Sequence, residues 1–240
     1  MLTAEYVALI AIAAGVAQAL TGFGCGIVMM LVFPMLFGIL KAPALSTAIA
    51  VAVSLQLAYR YRKHFKPGVM VFFTSSYILA SVVMIYFAKT FDVYWLTMAF
   101  GIYLILISIY NLLAKNRFRL KGSRATALVC GTLGGVCSGL FGIGGPMIAL
   151  YFLAITNDRE GYMANSQLSA SISSLVETAA RVSNGILTLD MAPAVAAGIV
   201  GICVGGMLGD RISRHINRLT MEKLVYIMVA VTGIKTLITL

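Results

Sequence analysis

Residues 131–153 read GTLGGVCSGLFGIGGPMIALYFL, and residues 15–36 read GVAQALTGFGCGIVMMLVFPML. Each stretch holds a dense glycine cluster, GLFGIGGP at 139–146 and TGFGCG at 21–26, inside a run without formal charge. The first run extends from Tyr6 to Leu40, 35 residues, and the second from Ala125 to Asn157, 33 residues. A helix crossing a bilayer takes about 20 residues, so each run is too long for one span and too short for two with a turn. Half-helices broken at the glycines and folded into re-entrant hairpins fit both the length and the break.

The surrounding composition names the solvent. Of 240 residues, 60% are apolar and 11% charged, and the mean hydropathy is +0.96. Soluble domains carry roughly 25% charged residues. An ordinary soluble enzyme, a disordered chain and a disulfide scaffold are excluded. Cys25, Cys130, Cys137 and Cys203 all lie in apolar segments without CxxC spacing, which reads as core or lipid-facing thiols and not as a metal site. The opening MLTAEY has no basic region, so no cleavable signal peptide is expected.

Six further apolar runs have the length of single spans: 42–59, 67–88, 93–114, 162–183, 191–209 and 224–240. Sliding the chain on itself by 120 residues superimposes the glycine breaks, with Gly22 on Gly142, Gly24 on Gly144 and Gln18 on Ser138. The expected fold is therefore an all-α integral membrane protein of one domain, 1–240, built from pseudo-repeats 1–120 and 121–240. Each repeat is a re-entrant broken-helix hairpin followed by three transmembrane helices. A hairpin returns to its own side and three spans cross an odd number of times, so the second repeat is inverted relative to the first.

Charge placement gives the orientation. Arg60, Arg62, Lys63 and Lys66 form one cluster, and Lys115, Arg117, Arg119, Lys121 and Arg124 a second. Arg211, Arg214, Arg218 and Lys223 form a third. With Arg159, these put 14 of the 18 lysines and arginines on one face. That face is expected in the cytoplasm, with both termini outside. The formal charge of +10 is then an orientation signal and not a sign of nucleic-acid binding.

The chemistry is expected at the breaks. Proline is favoured at the first position of a helix, so Pro146 predicts a short helix over 146–156 with the free amides of Gly144 and Gly145 at its start. Gly24, Cys25 and Gly26 are expected to do the same for a helix over 27–40. Each such end carries about half a positive charge and unpaired N–H groups, and two of them converging make an anion site without lysine or arginine. Gln18, Thr21 and Ser138 adjoin the breaks, and Asn165, Gln167 and Ser171 stand on a span crowded with amides and hydroxyls. Such groups donate to an oxyanion at far lower burial cost than a charge, although serines in membrane helices also bond their own backbone. Two other glycine series, Gly131, Gly135, Gly139 and Gly201, Gly205, Gly209, recur every four residues and read as helix-contact surfaces.

Glu177 and Arg181 are four apart on one predicted span, Arg181 near its outer end, which permits a pair on one face. They read as an interfacial ion pair, as a gate, or with Glu177 as a proton-coupling carboxylate. No GxxxxGK[ST] occurs, GIGGP lacks GxGxxG spacing, and His64 and His215 fall in basic loops. No enzyme, cofactor or metal is expected; the partners are a small anion, membrane lipid and a possible second copy of the chain.

The two opening stretches, with SGLFGIGGP and ANSQL at 164–168, resemble the TauE/SafE-type sulfite exporter family, also called toluene sulfonate uptake permeases. The resemblance runs through nearly the whole chain. It implies a small multi-pass protein of the bacterial inner membrane that moves sulfur-containing anions, with glycine-rich re-entrant pieces on the substrate path. By that resemblance Gly22, Phe23 and Gly24 in one half, and Gly142, Gly144, Gly145 and Pro146 in the other, are the substrate positions; Ile143, inside the second cluster, is expected to line the site with them. Cys25 and Gly26 stand where the second half has Gly145-Pro146, a departure that leaves the first break less regular. The expectation is a secondary transporter of sulfite or organosulfonates; an anion channel and a carrier of another small organic anion are the alternatives.

Overall fold

The computed structural model describes residues 2–65, 67–109, 122–156, 158–212, 230–234 and 236–238, and among them there is no strand. The helices are α1 (Leu2–Thr21), α2 (Gly24–Met30), α3 (Phe33–Tyr61), α4 (Pro67–Phe87), α5 (Val93–Ile109), α6 (Arg124–Phe141), α7 (Gly145–Ile155), α8 (Arg159–Ser183) and α9 (Ala192–Ile212). Residues 230–234 and 236–238 are also helical, and Gly101 of α5 packs against Leu237 and the Gly233 carbonyl. The basic residues Lys66, Lys115, Arg117, Arg119, Lys121, Arg214, Arg218 and Lys223, with His215 and most of the expected span 224–240, lie outside the described residues.

Among the described residues five helices, α1, α3, α4, α6 and α9, are long and apolar enough to cross a membrane. Their outward faces carry large apolar side chains such as Leu79, Leu133, Val200 and Met207, a surface that suits lipid and not water. Helix α8 is different. Its 25 residues are long enough to span, yet its serines from Ser166 to Ser174, Asn165, Gln167, Glu177 and Arg181 are buried against neighbouring helices. It is a polar core helix.

Two expectations need correction. The first arms of the hairpins are not half-helices: α1 has 20 residues and α6 has 18, and only the second arms are short. A charge-free run reports its total length and is silent on where the break divides it. Nor does one helix cover 27–40. The chain breaks after Met30, restarts at Phe33 and kinks at Gly38, whose φ of 75° is a left-handed conformation that glycine adopts without steric cost. The remainder of α3 then continues through the run expected to be a separate span.

The glycine series do form helix contacts. α1 runs parallel to α9, with Ala8 beside Gly201, Ile12 beside Gly205 and Val16 beside Gly209. α4 runs parallel to α6 in the same manner, with Phe73 beside Gly131, Tyr77 beside Gly135 and Ser81 beside Gly139. At every one of these glycines a Cβ would collide with backbone of the facing helix. Lipid gives helices no hydrophobic reason to associate, so this close backbone approach supplies the packing energy. α3 packs on α8 between the two pairs. α7 folds back along α6, bringing Met147 beside Gly134 and Ile155 beside Gly122.

Candidate functional site

Both breaks are made by one local device. α1 ends where Gly22 turns to φ +84° and its N–H donates to the Gln18 carbonyl at 2.7 Å. α6 ends where Gly142 turns to φ +67° and its N–H donates to the Ser138 carbonyl at 2.8 Å. A left-handed glycine just past the last helical residue is the commonest way to stop a helix while satisfying its terminal carbonyls. The short helices α2 and α7 then start close to one another. A Cβ on Gly26 would lie 2.7 Å from the Gly142 carbonyl oxygen, and one on Gly145 would lie 2.6 Å from that of Phe23. The two breaks touch.

Beside this contact is a cavity of about 70 Å³. Its lining includes Gln18, Gly22, Phe23, Ser138, Gly142, Ile143, Gly144 and Gly145 among the residues singled out from sequence. Glu177 lines it too. Thr21, Gly24, Pro146, Asn165, Gln167, Ser171 and Arg181 are not on its wall. Asn165 donates to the Gly161 carbonyl at 2.7 Å and Ser171 to the Gln167 carbonyl at 2.7 Å, so both serve their own helix. Sequence reasoning missed Tyr77, whose hydroxyl abuts Gly144, and it left Thr47, Ser54 and Ser173 out of the site. The hydroxyl run Thr74-Ser75-Ser76-Tyr77 in the middle of an apolar span was the available signal.

Neutral amides hold the first break. Gln18 Oε1 accepts from the Cys25 N–H at 3.1 Å, and Gln18 Nε2 donates to Gln167 Oε1 at 3.0 Å. Gln167 Nε2 donates to the Gly22 carbonyl at 2.6 Å, and the Tyr162 hydroxyl donates to the Thr21 carbonyl at 3.0 Å. Thr21 Oγ1 accepts from the Phe23 N–H at 3.3 Å. Two amides at the start of α2 are therefore already satisfied by side chains, contrary to the expectation of free donors there.

The second break is held by charge. Arg181 Nη2 donates to the carbonyls of Ser138 at 2.8 Å and Gly139 at 3.1 Å, in the last turn of α6, where a cation is favoured by the helix dipole. Ser138 Oγ donates to Glu177 Oε2 at 3.0 Å. Glu177 Oε1, Arg181 Nε and Ser173 Oγ are buried without a hydrogen-bond partner. α7 starts without a side-chain cap, and the Tyr103 hydroxyl fixes the turn before it by donating to the Ile143 carbonyl at 2.6 Å.

This overturns the expectation of an interfacial Glu177–Arg181 ion pair. Arg181 is only 1% exposed and both residues are turned onto the end of α6. The broken helix leaves carbonyls inside the protein, and they capture the guanidinium. An ion pair does form between Arg60 Nη2 and Asp210 Oδ2, 2.6 Å apart, where the ends of α3 and α9 meet. Along α8, Gln167, Ala170, Ser174, Glu177 and Arg181 recur at alternate steps of three and four, one face of the helix. That stripe passes both breaks, with Ala170, Ser174 and Glu177 on the cavity wall between them.

Among the described residues no cluster of three or more side chains could hold a metal ion. No curated protein and no solved structure matches the chain. The model of the family described as sulfite exporter TauE/SafE matches residues 7–236. With its apolar helices and glycine-built breaks, the chain is a multi-pass membrane protein that belongs to the TauE/SafE sulfite exporter family of transporters.

Proposed function

We propose that this chain is a secondary transporter of small sulfur-containing oxyanions, sulfite and organosulfonates, across the bacterial inner membrane. The anion rests in the cavity where the two breaks meet, and two inverted halves rock about it to give alternating access. The observation that carries this reading is the cavity wall formed by the backbone of residues 142–145 at the uncapped start of α7. A helix start contributes up to about 2 kcal/mol toward an anion when partly buried, enough to hold a substrate and weak enough to release it. The volume corresponds to roughly five water positions, room for an oxyanion of about four or five heavy atoms.

The packing supports the two-halves reading. A shift of 120 residues turns the parallel pair α1–α9 into the parallel pair α6–α4, and maps the α3–α8 contact onto itself. The charges support the orientation. Arg60 meets Asp210 at the ends of α3 and α9, and Arg124 lies over the Phe72 ring at the starts of α6 and α4, next to the turn that carries Arg62 and Lys63, while Lys89 lies beyond the far end of α4. The end with Arg60 and Arg124 is cytoplasmic by the positive-inside rule.

Filling the cavity tests the site without disturbing the breaks. Gly144→Val is expected to abolish transport, but its side chain would also drive into Tyr77. Ala170→Leu is the cleaner probe. Labelled sulfite flux into proteoliposomes should fall about tenfold or more, the equivalent of ~1.4 kcal/mol of binding, with the melting temperature unchanged. Undiminished flux would place the substrate elsewhere. Unsaturable conductance in a planar bilayer would identify a channel.

A further inference from the structure

We infer that Glu177 couples transport to protons, taking up one proton as a monovalent anion enters the cavity and releasing it as the anion leaves. The inference rests on the transporter reading above and names its coupling ion. Three observations meet at this side chain. Glu177 lines the cavity at 2% exposure. One of its oxygens accepts from Ser138 while the other, Oε1, is buried with no partner. The cation on its own helix, Arg181, is held by the carbonyls of Ser138 and Gly139 and forms no ion pair with it.

The charges then count simply. With the cavity empty, the fixed cation of Arg181 and the carboxylate of Glu177 balance. A monovalent anion entering beside them leaves one uncompensated negative charge in a medium that solvates it poorly. A proton from water, added to Oε1, restores neutrality. It also converts an unpartnered acceptor into an O–H donor able to hydrogen-bond the anion. On release the proton returns to water from the same oxygen.

The groups that face Glu177 from its neighbours do not take over this task. α4 brings the hydroxyls of Tyr77 and Ser81, the latter donating to the Ile78 carbonyl at 3.1 Å, and α6 brings Ser138, with Cys137 close to Tyr77. α3 presents Thr47 and Ser54 to the cavity, α2 the Cys25 thiol, and α7 backbone with Ile148. Phenol and thiol are neutral near pH 7 and cannot accept the proton.

The test uses the full-length protein in proteoliposomes with labelled sulfite and labelled methanesulfonate. Methanesulfonate stays a monoanion across the pH range, so any pH dependence of its flux belongs to the protein. In the native protein, methanesulfonate uptake should rise as external pH falls, by up to about tenfold per unit for one proton, and an inward proton gradient should drive its accumulation. Glu177→Gln keeps the shape of the side chain, and a melting temperature in detergent equal to that of the native protein shows that the variant is folded, whatever its rate of exchange. It should lose both the pH profile and gradient-driven accumulation. A Glu177→Gln variant that still accumulates the anion down a proton gradient overturns the inference, as does a native protein with flat pH dependence. If neither anion moves with the native protein, the transporter reading itself fails and the inference with it.

Discussion

The two breaks share a backbone and differ in what secures it. Gly22 and Gly142 are equivalent positions, both left-handed, both closing the same four-residue turn onto equivalent residues, Gln18 and Ser138. Around Gly22 the partners are the neutral groups of Gln18, Gln167 and Tyr162. Around Gly142 they are Ser138, Glu177 and Arg181. At the offset of 120 residues Glu177 and Arg181 fall on Leu57 and Tyr61, so charge stands at one of the two breaks and not at the matching positions of the other. The difference separates two tasks. An amide network fixes geometry and is indifferent to what occupies the cavity, whereas a buried carboxylate and guanidinium respond to any charge that enters.

The largest effect should follow from stranding that charge. Arg181→Met leaves Glu177 without its compensating cation and removes the side-chain donor from the Ser138 and Gly139 carbonyls, the first of which keeps the Gly142 N–H, at an expected cost of about 3–5 kcal/mol. Thermal unfolding in detergent would measure it, and adding Glu177→Gln should recover part of the loss; no recovery would mean the two residues act independently. Gln167→Leu at the neutral break should cost less, about 1–3 kcal/mol, because it removes two buried amide bonds but no charge and leaves the Gly22 carbonyl a longer bond from Gln18 Nε2 at 3.4 Å. Equal losses from the two variants would erase the distinction between the breaks. The smallest effect should come from Gly22→Ala and Gly142→Ala. Each forces a side chain into a left-handed conformation at about 1–2 kcal/mol, with Gly22→Ala the worse because its Cβ would lie 2.7 Å from the buried Tyr162 hydroxyl that holds the Thr21 carbonyl, while that at Gly142 would lie 3.1 Å from Pro43.

The location of the breaks was legible in the sequence because a helix stops where glycine takes a conformation other residues resist, and the clusters at 21–26 and 139–146 repeat at a fixed offset. The polar stripe of α8 was legible for a similar reason, since amides and serines recur on one face of an otherwise spanning segment. Tyr77 was not. The hydroxyls at 74–77 mark a polar patch in an apolar span but not which way the tyrosine points, and the Gly135 contact of α4 on α6 decides that. Arg181 was misplaced because an arginine near the end of an apolar run resembles an interfacial anchor. Its partners are carbonyls of a helix about 40 residues earlier, freed by a break whose depth no charge count reveals.

The account stands on an anion resting where the breaks meet, and an anomalous scatterer can show it there. Crystals soaked in selenate, a small tetrahedral oxyanion, should give an anomalous difference peak within about 4 Å of the Gly144 and Gly145 amides and of Ser173 Oγ. A cavity without a peak, beside selenate bound only at the basic end near Arg60 and Arg124, would contradict it.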